Sequence, residues 1–563
     1  WVNRSDFSLQ GIQPAKIVIG KIYKRRLDSM YQNSNTNQET LPLEYQITVP
    51  QGHIVRLIKR FVDSIPDSII YPSALHQSSE GRPATSPRLL LKTILFAYSR
   101  GVFTGRKITQ MMDENIPMMW LTNDQRCSYH TINSFVSNEK TGQLLKQVYL
   151  YFVLELQKQG LISSDSIFID GTKVEADANK YSFVWKKSTE KFQTKLRARL
   201  SELYGELVAA DVSPTVTREE SQTTDGAKKL KAQLTTTIDQ LNQEIAQERP
   251  KVGGSQKKQR RRTLKKYLHR LANDYIPRSQ KYDNYLTVLG ERNSFSKTDQ
   301  EATFMRLKED PMLNGQLKAG YNLQIATNNQ FVLDYKTFWN PTDTRTLVPF
   351  LKQMVILPMF KFITADAGYG SEYNYTTILD QFEQQALIPY NKMRVEMKRS
   401  YAKKASNPAN WEYNAEDDYY IDDQGVRFNF KRYSVRHDDY GFEKNLKIYE
   451  ADTFQLTKKA TAAAKTKKAK RQRQISVNVT LLYLRNRAKK ALLCEPGKTI
   501  YKRRKDEVEP VFARLKQNLG FRRTNFRGQR PVENELGLAL MALNLERLAT
   551  LVRQQKIPKL ITP

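Results

Sequence analysis

The chain has 563 residues, with 91 Lys and Arg against 58 Asp and Glu, a formal charge of +33. Hydrophobic residues at 39% and aromatics at 10% supply packed cores, while 24 Gly and 22 Pro exclude a collagen-like or low-complexity chain. Cys127 and Cys494 cannot build a disulfide framework, which points to a reducing compartment. No apolar run approaches the roughly 18 residues of a membrane span, and no signal peptide is read. The charge points to a polyanion, nucleic acid first, because Lys and Arg release counterions from phosphate.

Residues 1–46, with Lys21, Lys24, Arg25 and Arg26, read as a basic arm. A helical domain is expected over 47–160. Ser86 is placed as a cap with Pro87 at the first helical position, ahead of the apolar face Leu90, Leu91, Ile94, Leu95 and Tyr98. Thr104 should cap a helix carrying Ile108, Met111 and Met112, and Thr131 one carrying Ile132, Phe135 and Val136.

Ser166-Ile167-Phe168-Ile169 is a continuously apolar run ending at Asp170-Gly171, the pattern of a buried strand. Strands are expected again at Tyr321–Thr327 and Phe331–Thr337 with Asn328-Asn329 as the turn, at Lys361–Ala365, and at Ala386–Pro389. With a helix over Leu347–Val355 and another after Gly370, this is an α/β core with a mixed sheet, split into 161–185, 300–390 and 500–563. Between 186 and 299, apolar residues recur in steps of three and four (Phe192, Leu196, Leu200, Leu203, Leu207; then Leu230, Leu234, Ile238, Leu241, Ile245), predicting a helical insertion. A second insertion, 391–499, reads as short strands near Asp417–Asp423, then an Ala/Lys segment over 457–474. From Tyr501 the chain is helical again, and Pro510 must either start that helix or kink it.

Asp170 and Asp366 both follow an apolar strand and precede a glycine-containing turn. Glu509 stands among Arg503, Arg504, Lys505, Arg514 and Lys516. Each alone fits a turn residue or a surface ion pair. Three convergent carboxylates, with five scattered His and no Cys/His ligand spacing, point instead to Mg²⁺ or Mn²⁺. A pair of such ions about 4 Å apart can activate a hydroxyl and stabilise the leaving oxygen of an in-line phosphoryl displacement. The P-loop and the G-x-S-x-G elbow are both missing from the sequence.

Several stretches together resemble the DDE transposases of bacterial insertion sequences. Phe168-Ile169-Asp170-Gly171-Thr172-Lys173-Val174-Glu175-Ala176, continuing to Asn179–Trp185, is similar to their first-Asp segment. Asn340-Pro341-Thr342-Asp343-Thr344-Arg345-Thr346 also fits, and Ala365-Asp366-Ala367-Gly368-Tyr369-Gly370-Ser371 resembles the second-Asp segment. Glu509-Pro510-Val511-Phe512, Leu515-Lys516, Phe521-Arg522-Arg523, Arg527-Gly528 and Asn544-Leu545 resemble the Glu-bearing C-terminal region, and 85–137 is similar to an InsH-type N-terminal domain.

The resemblance implies an RNase H-like catalytic core with Asp170, Asp366 and Glu509 as catalytic and metal-binding residues for two Mg²⁺ (or Mn²⁺) ions. It also implies binding of terminal inverted repeats, strand cleavage and 3′-hydroxyl transfer to target DNA, by a homodimer in the bacterial cytoplasm at the nucleoid. Tyr501-x-x-Arg504 and Glu509-x₆-Lys516 follow the family signature, but Arg504 stands one residue too far from Glu509, so Glu507 is the other candidate ligand.

DNA contacts are expected at Lys516, Arg504, Arg514, Arg522, Arg523 and Arg527 near the acids, and at Arg100, Arg106 and Lys107 in the helical domain. The 186–299 insertion reads as a DNA clamp, a dimerisation hairpin or a surface bundle. The competing functions are a transposase-derived DNA-binding protein without catalysis and another RNase H-like nuclease.

Overall fold

A computed structural model describes residues 49–71, 84–247, 255–307, 315–404, 407–438, 440–452 and 472–554. The basic arm and most of the Ala/Lys segment lie outside the described residues.

Helices α1 (Ile54–Ser64), α2 (Pro87–Ser99), α3 (Gly105–Glu114), α4 (Ile116–Thr122), α5 (Tyr129–Ser137) and α6 (Glu139–Lys158) come first. Helix α2 is the centre of this group, buried at every position but Arg88. Arg88 closes the end of α1 by donating to the carbonyls of Val62 and Ile65 and to Asp67. Pro87 takes the first turn of α2 as expected. The cap of α5, however, is Ser128, whose hydroxyl accepts from the Thr131 amide, so Thr131 lies inside the helix it was expected to start.

Strands β1 (Ser166–Glu175) and β2 (Phe183–Trp185) follow, then α7 (Lys186–Ala209), α8 (Thr224–Gln247), α9 (Gln256–Arg270) and α10 (Ile276–Leu289). After them come β3 (Ser294–Ser296), β4 (Thr303–Arg306), β5 (Leu317–Asn328), β6 (Phe331–Phe338), α11 (Leu347–Gln353), β7 (Phe362–Ala365), α12 (Glu372–Asp380) and β8 (Gln385–Leu387). The second insertion forms β9 (Glu412–Asn414), β10 (Tyr419–Ile421), β11 (Arg427–His437), β12 (Glu443–Ala451) and β13 (Gln474–Val477). Helices α13 (Val479–Leu493), α14 (Gly497–Ala513) and α15 (Gln529–Arg553) complete the chain.

The described residues fall into two units, one running to Lys173 and including Asn322–Phe526 and the residues from Arg530, the other Val174–Tyr321 with Arg527–Gln529.

In the first unit the sheet runs β5-β1-β7-β8, with β6 paired to β5. β7 lies parallel to β1 and to β8, while β5 and β6 form an antiparallel hairpin. This is a mixed α/β sheet beside a helical N-terminal region, the architecture of an RNase H-like core. The hairpin turn is Asn329-Gln330, both at positive φ, one residue later than the sequence suggests. Asn328 stays in β5 because its side-chain amide is buried, donating to the carbonyls of Ser163 and Ser166.

Helix α15 covers the sheet, with Asn544 bonding both the amide and the carbonyl of Val332. It meets the N-terminal helices through Asn534, whose amide donates to the carbonyls of Val136 and Asn138. The second insertion has its own five-stranded antiparallel sheet, β13-β12-β11-β10-β9, around Trp411, Val426, Phe428 and Tyr449.

Asp334 on β6 has its carboxyl pushed up to about 7, chiefly by burial. A carboxyl raised on folding binds its proton more tightly in the native state, so its stabilisation is complete below about pH 4 and fades up to about pH 7. Asp334→Asn should therefore melt a few degrees above the wild type at pH 8, with the gap closing toward pH 5 in thermal scans.

The second unit packs α7, α8, α9 and α10 around Leu196, Leu200, Leu203, Leu207, Leu230, Leu234, Ile238, Leu264 and Leu271; the spacing predicts the two long helices α7 and α8, but Phe192, placed on the same face, is exposed. β2 pairs with β3, and β4 with the start of β5 (Thr303↔Gly320).

Candidate active site

The β1–β7 ladder pairs Ser166 with Phe362 and ends with Ile169 opposite Ala365. Asp170 and Asp366 are the next residues on these two strands. Neighbouring strands lie about 4.8 Å apart, so the register sets the two acids side by side. Four buried residues (Ile167, Phe168, Ile169, Ala365) anchor the strands beneath them. Each carboxylate is fixed by a following backbone amide: Gly171 N–H donates to Asp170 Oδ1 and Gly368 N–H to Asp366 Oδ1, both at 2.8 Å.

Helix α14 supplies the rest. Arg504 reaches Asp170 Oδ2 at 3.3 Å, both side chains being largely covered. Tyr501, whose phenol is raised mainly by burial, also bonds Arg504 and feels the charge of Asp366. Further along, the Lys516 ammonium is buried and donates to the Lys173 carbonyl at 2.9 Å.

Glu509 lies between Arg504 and Lys516 along the helix, but the π-turn at Arg514–Asn518 sets in before Lys516, so the seven-residue spacing does not put the two on one face: Lys516 is buried. The Glu509 side chain is exposed. Glu507 sits roughly 200° around the helix from it. There it is buried, accepting from the Gln330 amide and from Arg503, both at 2.9 Å. Gln330 belongs to the β5–β6 turn, and its neighbour Asn329 bonds the Leu161 carbonyl ahead of β1. Glu507 is thus committed to the end of β1 away from Asp170. Asp170 and Asp366 are brought together, but among the described residues no three His, Cys, Asp or Glu side chains form a group able to hold a metal ion. Glu509 therefore does not complete a ready-made cluster with the two aspartates.

Pro510 does not start α14 but lies inside it, where its ring nitrogen has no proton to give the helix ladder. The helix then widens into a π-turn over Arg514–Asn518, where Leu519 N–H reaches the Arg514 carbonyl.

The basic residues separate into groups. Arg514 turns toward the β5–β6 turn, donating to the Gln330 carbonyl, and burial lowers its guanidinium pKa. Arg522 bonds the Lys516 carbonyl, and Arg523 is exposed. Arg527, in the second unit, pairs with Asp177 at 2.9 Å. Arg106 lies over the Tyr129 ring, Lys107 is exposed, and Arg100 reaches His53 Nε2.

Sequence reasoning assigned no role to Asp343, which is central to the site. Its Oδ1 accepts from the buried amides of Asn322 at 2.7 Å and Gln324 at 3.1 Å. Gln324 in turn accepts from the Tyr369 hydroxyl. Next to Asp343, Thr344 donates to the Gly368 carbonyl, and Asn374 ties together the carbonyls of Thr344 and Tyr369. The 340–346 loop is thereby fastened to the turn that carries Asp366.

The same network lies close against the residue after Asp170: a Cβ at Gly171 would lie 2.2 Å from Gln324 Nε2 and 2.9 Å from Asp343 Oδ1. Burial, then the charges of Asp343, Asp170 and Asp366, hold the Tyr369 phenol far above its ordinary pKa. One buried ring thus faces all three aspartates. The sequence signal was available in Asn322 and Gln324, two polar residues on one face of β5 between the apolar Tyr321, Leu323 and Ile325 of the other face. On the outer side of the loop, Arg345 pairs with Asp438 and lies over the rings of Tyr373 and Tyr440, docking the tip of the β11–β12 hairpin.

A mixed sheet of this order beside a helical N-terminal region is consistent with an RNase H-like core. The Transposase DDE domain family matches residues 433–549, and the Transposase domain (DUF772) family matches residues 43–138. The two matches support a DDE transposase of an insertion sequence, with DNA as the substrate of that family. No curated protein and no solved structure matches the chain. Among the described residues, no helix is long and apolar enough to cross a membrane.

Proposed function

We propose that the protein binds the terminal inverted repeats of its element, cleaves the DNA strands there and transfers the 3′-hydroxyl ends to target DNA, as a homodimer at the nucleoid. The observation that carries this reading is the β1–β7 register, which sets Asp170 beside Asp366 with α14 against them. All three candidate ligands are carboxylates, the oxygen donors that a hard divalent ion takes. Asp170 and Asp366, with Glu509 from α14, would hold two Mg²⁺ or Mn²⁺ ions, which when bound activate the attacking oxygen and stabilise the leaving one.

The chain's own groups do the remaining work. Gly171 and Gly368 amides fix the two carboxylates, and the Asp343 network fixes the strand and turn that carry them. Arg504, already against Asp170, stands within reach of a phosphate placed at that acid. Lys516 braces the end of β1, and Arg522 and Arg523 lie just beyond it for the DNA backbone.

The test is strand cleavage and joining on duplex DNA carrying the element's own ends, with Mg²⁺. Asp170→Asn and Asp366→Asn should bind that DNA as the wild type does and yield neither cut nor joined product. Wild-type rates in both variants would remove the reading, and cut ends that never join would reduce it to a nuclease.

A further inference from the structure

We infer that the outward face of α9 is a DNA-binding surface of the helical insertion, engaging the phosphate backbone of duplex DNA apart from the catalytic acids. This rests on DNA being the partner, as proposed above.

Charge is distributed very unevenly over the four helices of this unit. Helix α9, Gln256–Arg270, carries eight Lys and Arg and no Asp or Glu. Its neighbour α8 balances three Lys against three acids over 24 residues, and α7 and α10 both mix the two signs. A coat serving solubility alone would spread the charge over all four. Here it is concentrated on one.

Within α9 the cations divide by face. Leu264 is buried in the bundle, with Leu268 packed against that core. On the flanks Lys257 pairs with Glu244, Arg270 pairs with Glu206, Arg261 bonds Asn242, and Arg260 bonds the Asp211 carbonyl. These contacts orient the helix. Lys258, Arg262, Lys265 and Lys266 are exposed and, among the described residues, make no ion pair.

At 100° per residue Lys258, Arg262, Lys265 and Lys266 fall within one third of the helix circumference, opposite Leu264, with His269 continuing the line. From Lys258 to His269 the stripe is about 16 Å long at 1.5 Å per residue. A B-form strand places a phosphate every 3.4 Å along its axis, so the stripe matches about five phosphates. A rigid row of cations on an anchored helix loses less side-chain freedom on binding than the same charges on a loop. It reads no bases, so the contact is independent of sequence.

The test compares two neutralised triple variants of the full chain, K258Q/R262Q/K265Q on α9 and K187Q/K191Q/K195Q on α7. Lys187, Lys191 and Lys195 are also exposed, so both variants change the net charge equally. Binding to a random duplex of about 30 base pairs is followed by fluorescence anisotropy across a salt series with EDTA present. The α9 triple should flatten the plot of log affinity against log salt by about 2 to 3, near 0.9 per lost phosphate contact, and weaken binding at least tenfold at 0.15 M salt. The α7 triple should shift the slope by less than about 1, and both variants should melt as the wild type does. Equal effects of the two triples, or a wild-type slope in the α9 variant, would overturn the inference while leaving the catalytic reading intact. A wild-type protein that fails to bind duplex DNA would overturn both.

Discussion

Glu509→Gln should abolish strand cleavage, by at least about a thousandfold, while DNA binding and melting temperature stay at wild-type values. A ligand carboxylate for a catalytic ion contributes several kcal/mol at the transition state, and each 1.4 kcal/mol is about tenfold in rate. Because the Glu509 side chain is exposed, removing its charge costs the fold little.

Glu507→Gln should do the reverse. Its carboxylate is buried between the Gln330 amide and the Arg503 guanidinium, so neutralising it takes away the opposite charge that Arg503 faces and lowers the melting temperature by several degrees. Cleavage per folded molecule should remain within a few-fold of wild type. Single-turnover rates and thermal scans on the two variants separate them, and the opposite pattern would make Glu507 the ligand.

Asp343→Ala is expected to cut the cleavage rate about a hundredfold with DNA affinity almost unchanged, because a misplacement near 1 Å at the reacting groups costs that much. The substitution removes the acceptor shared by the Asn322 and Gln324 amides, leaving Asn322 with its bond to the Asn340 carbonyl and Gln324 with its bond to Asn322 Oδ1, so each buried amide loses one of two bonds. The network touches the backbone at Gly171 and is tied to the Asp366 turn through Thr344, so its loosening is felt at both acids. Asp343→Asn keeps an oxygen in the same place and should recover most of the rate. A folded Asp343→Ala protein that cleaves at the wild-type rate would show that the network only stabilises. Recovery by Asn, with kcat rather than KM responding, identifies positioning.

What the sequence discloses here is local. The strand under Asp170 is legible because three apolar residues, Ile167 to Ile169, run into Asp-Gly, and the strand under Asp366 because the short run Phe362-Ile363-Thr364-Ala365 leads into Asp-Ala-Gly. The long helices of the insertion are legible from their three-and-four spacing. Features set by distant partners were not. The turn falls at Asn329-Gln330 because Asn328 is bound by Ser163 and Ser166, more than 160 residues earlier.

Spacing alone left Glu507 and Glu509 as rivals; what separates their placements is a contact from Glu507 to Gln330, 177 positions away. The role of Asp343 is not legible in the 340–346 segment because its partners lie on β5, 19 and 21 residues back. Pro510 left open a helix start or a kink; the residue lies inside the helix, which widens into a π-turn four residues later.

The most direct measurement is anomalous diffraction from crystals of the full chain with element-end DNA and Mn²⁺. The account predicts two Mn²⁺ peaks bounded by Asp170, Asp366 and Glu509, next to the scissile phosphate. Peaks at Glu507 or away from the two aspartates, with Glu509 still facing solvent, would contradict it.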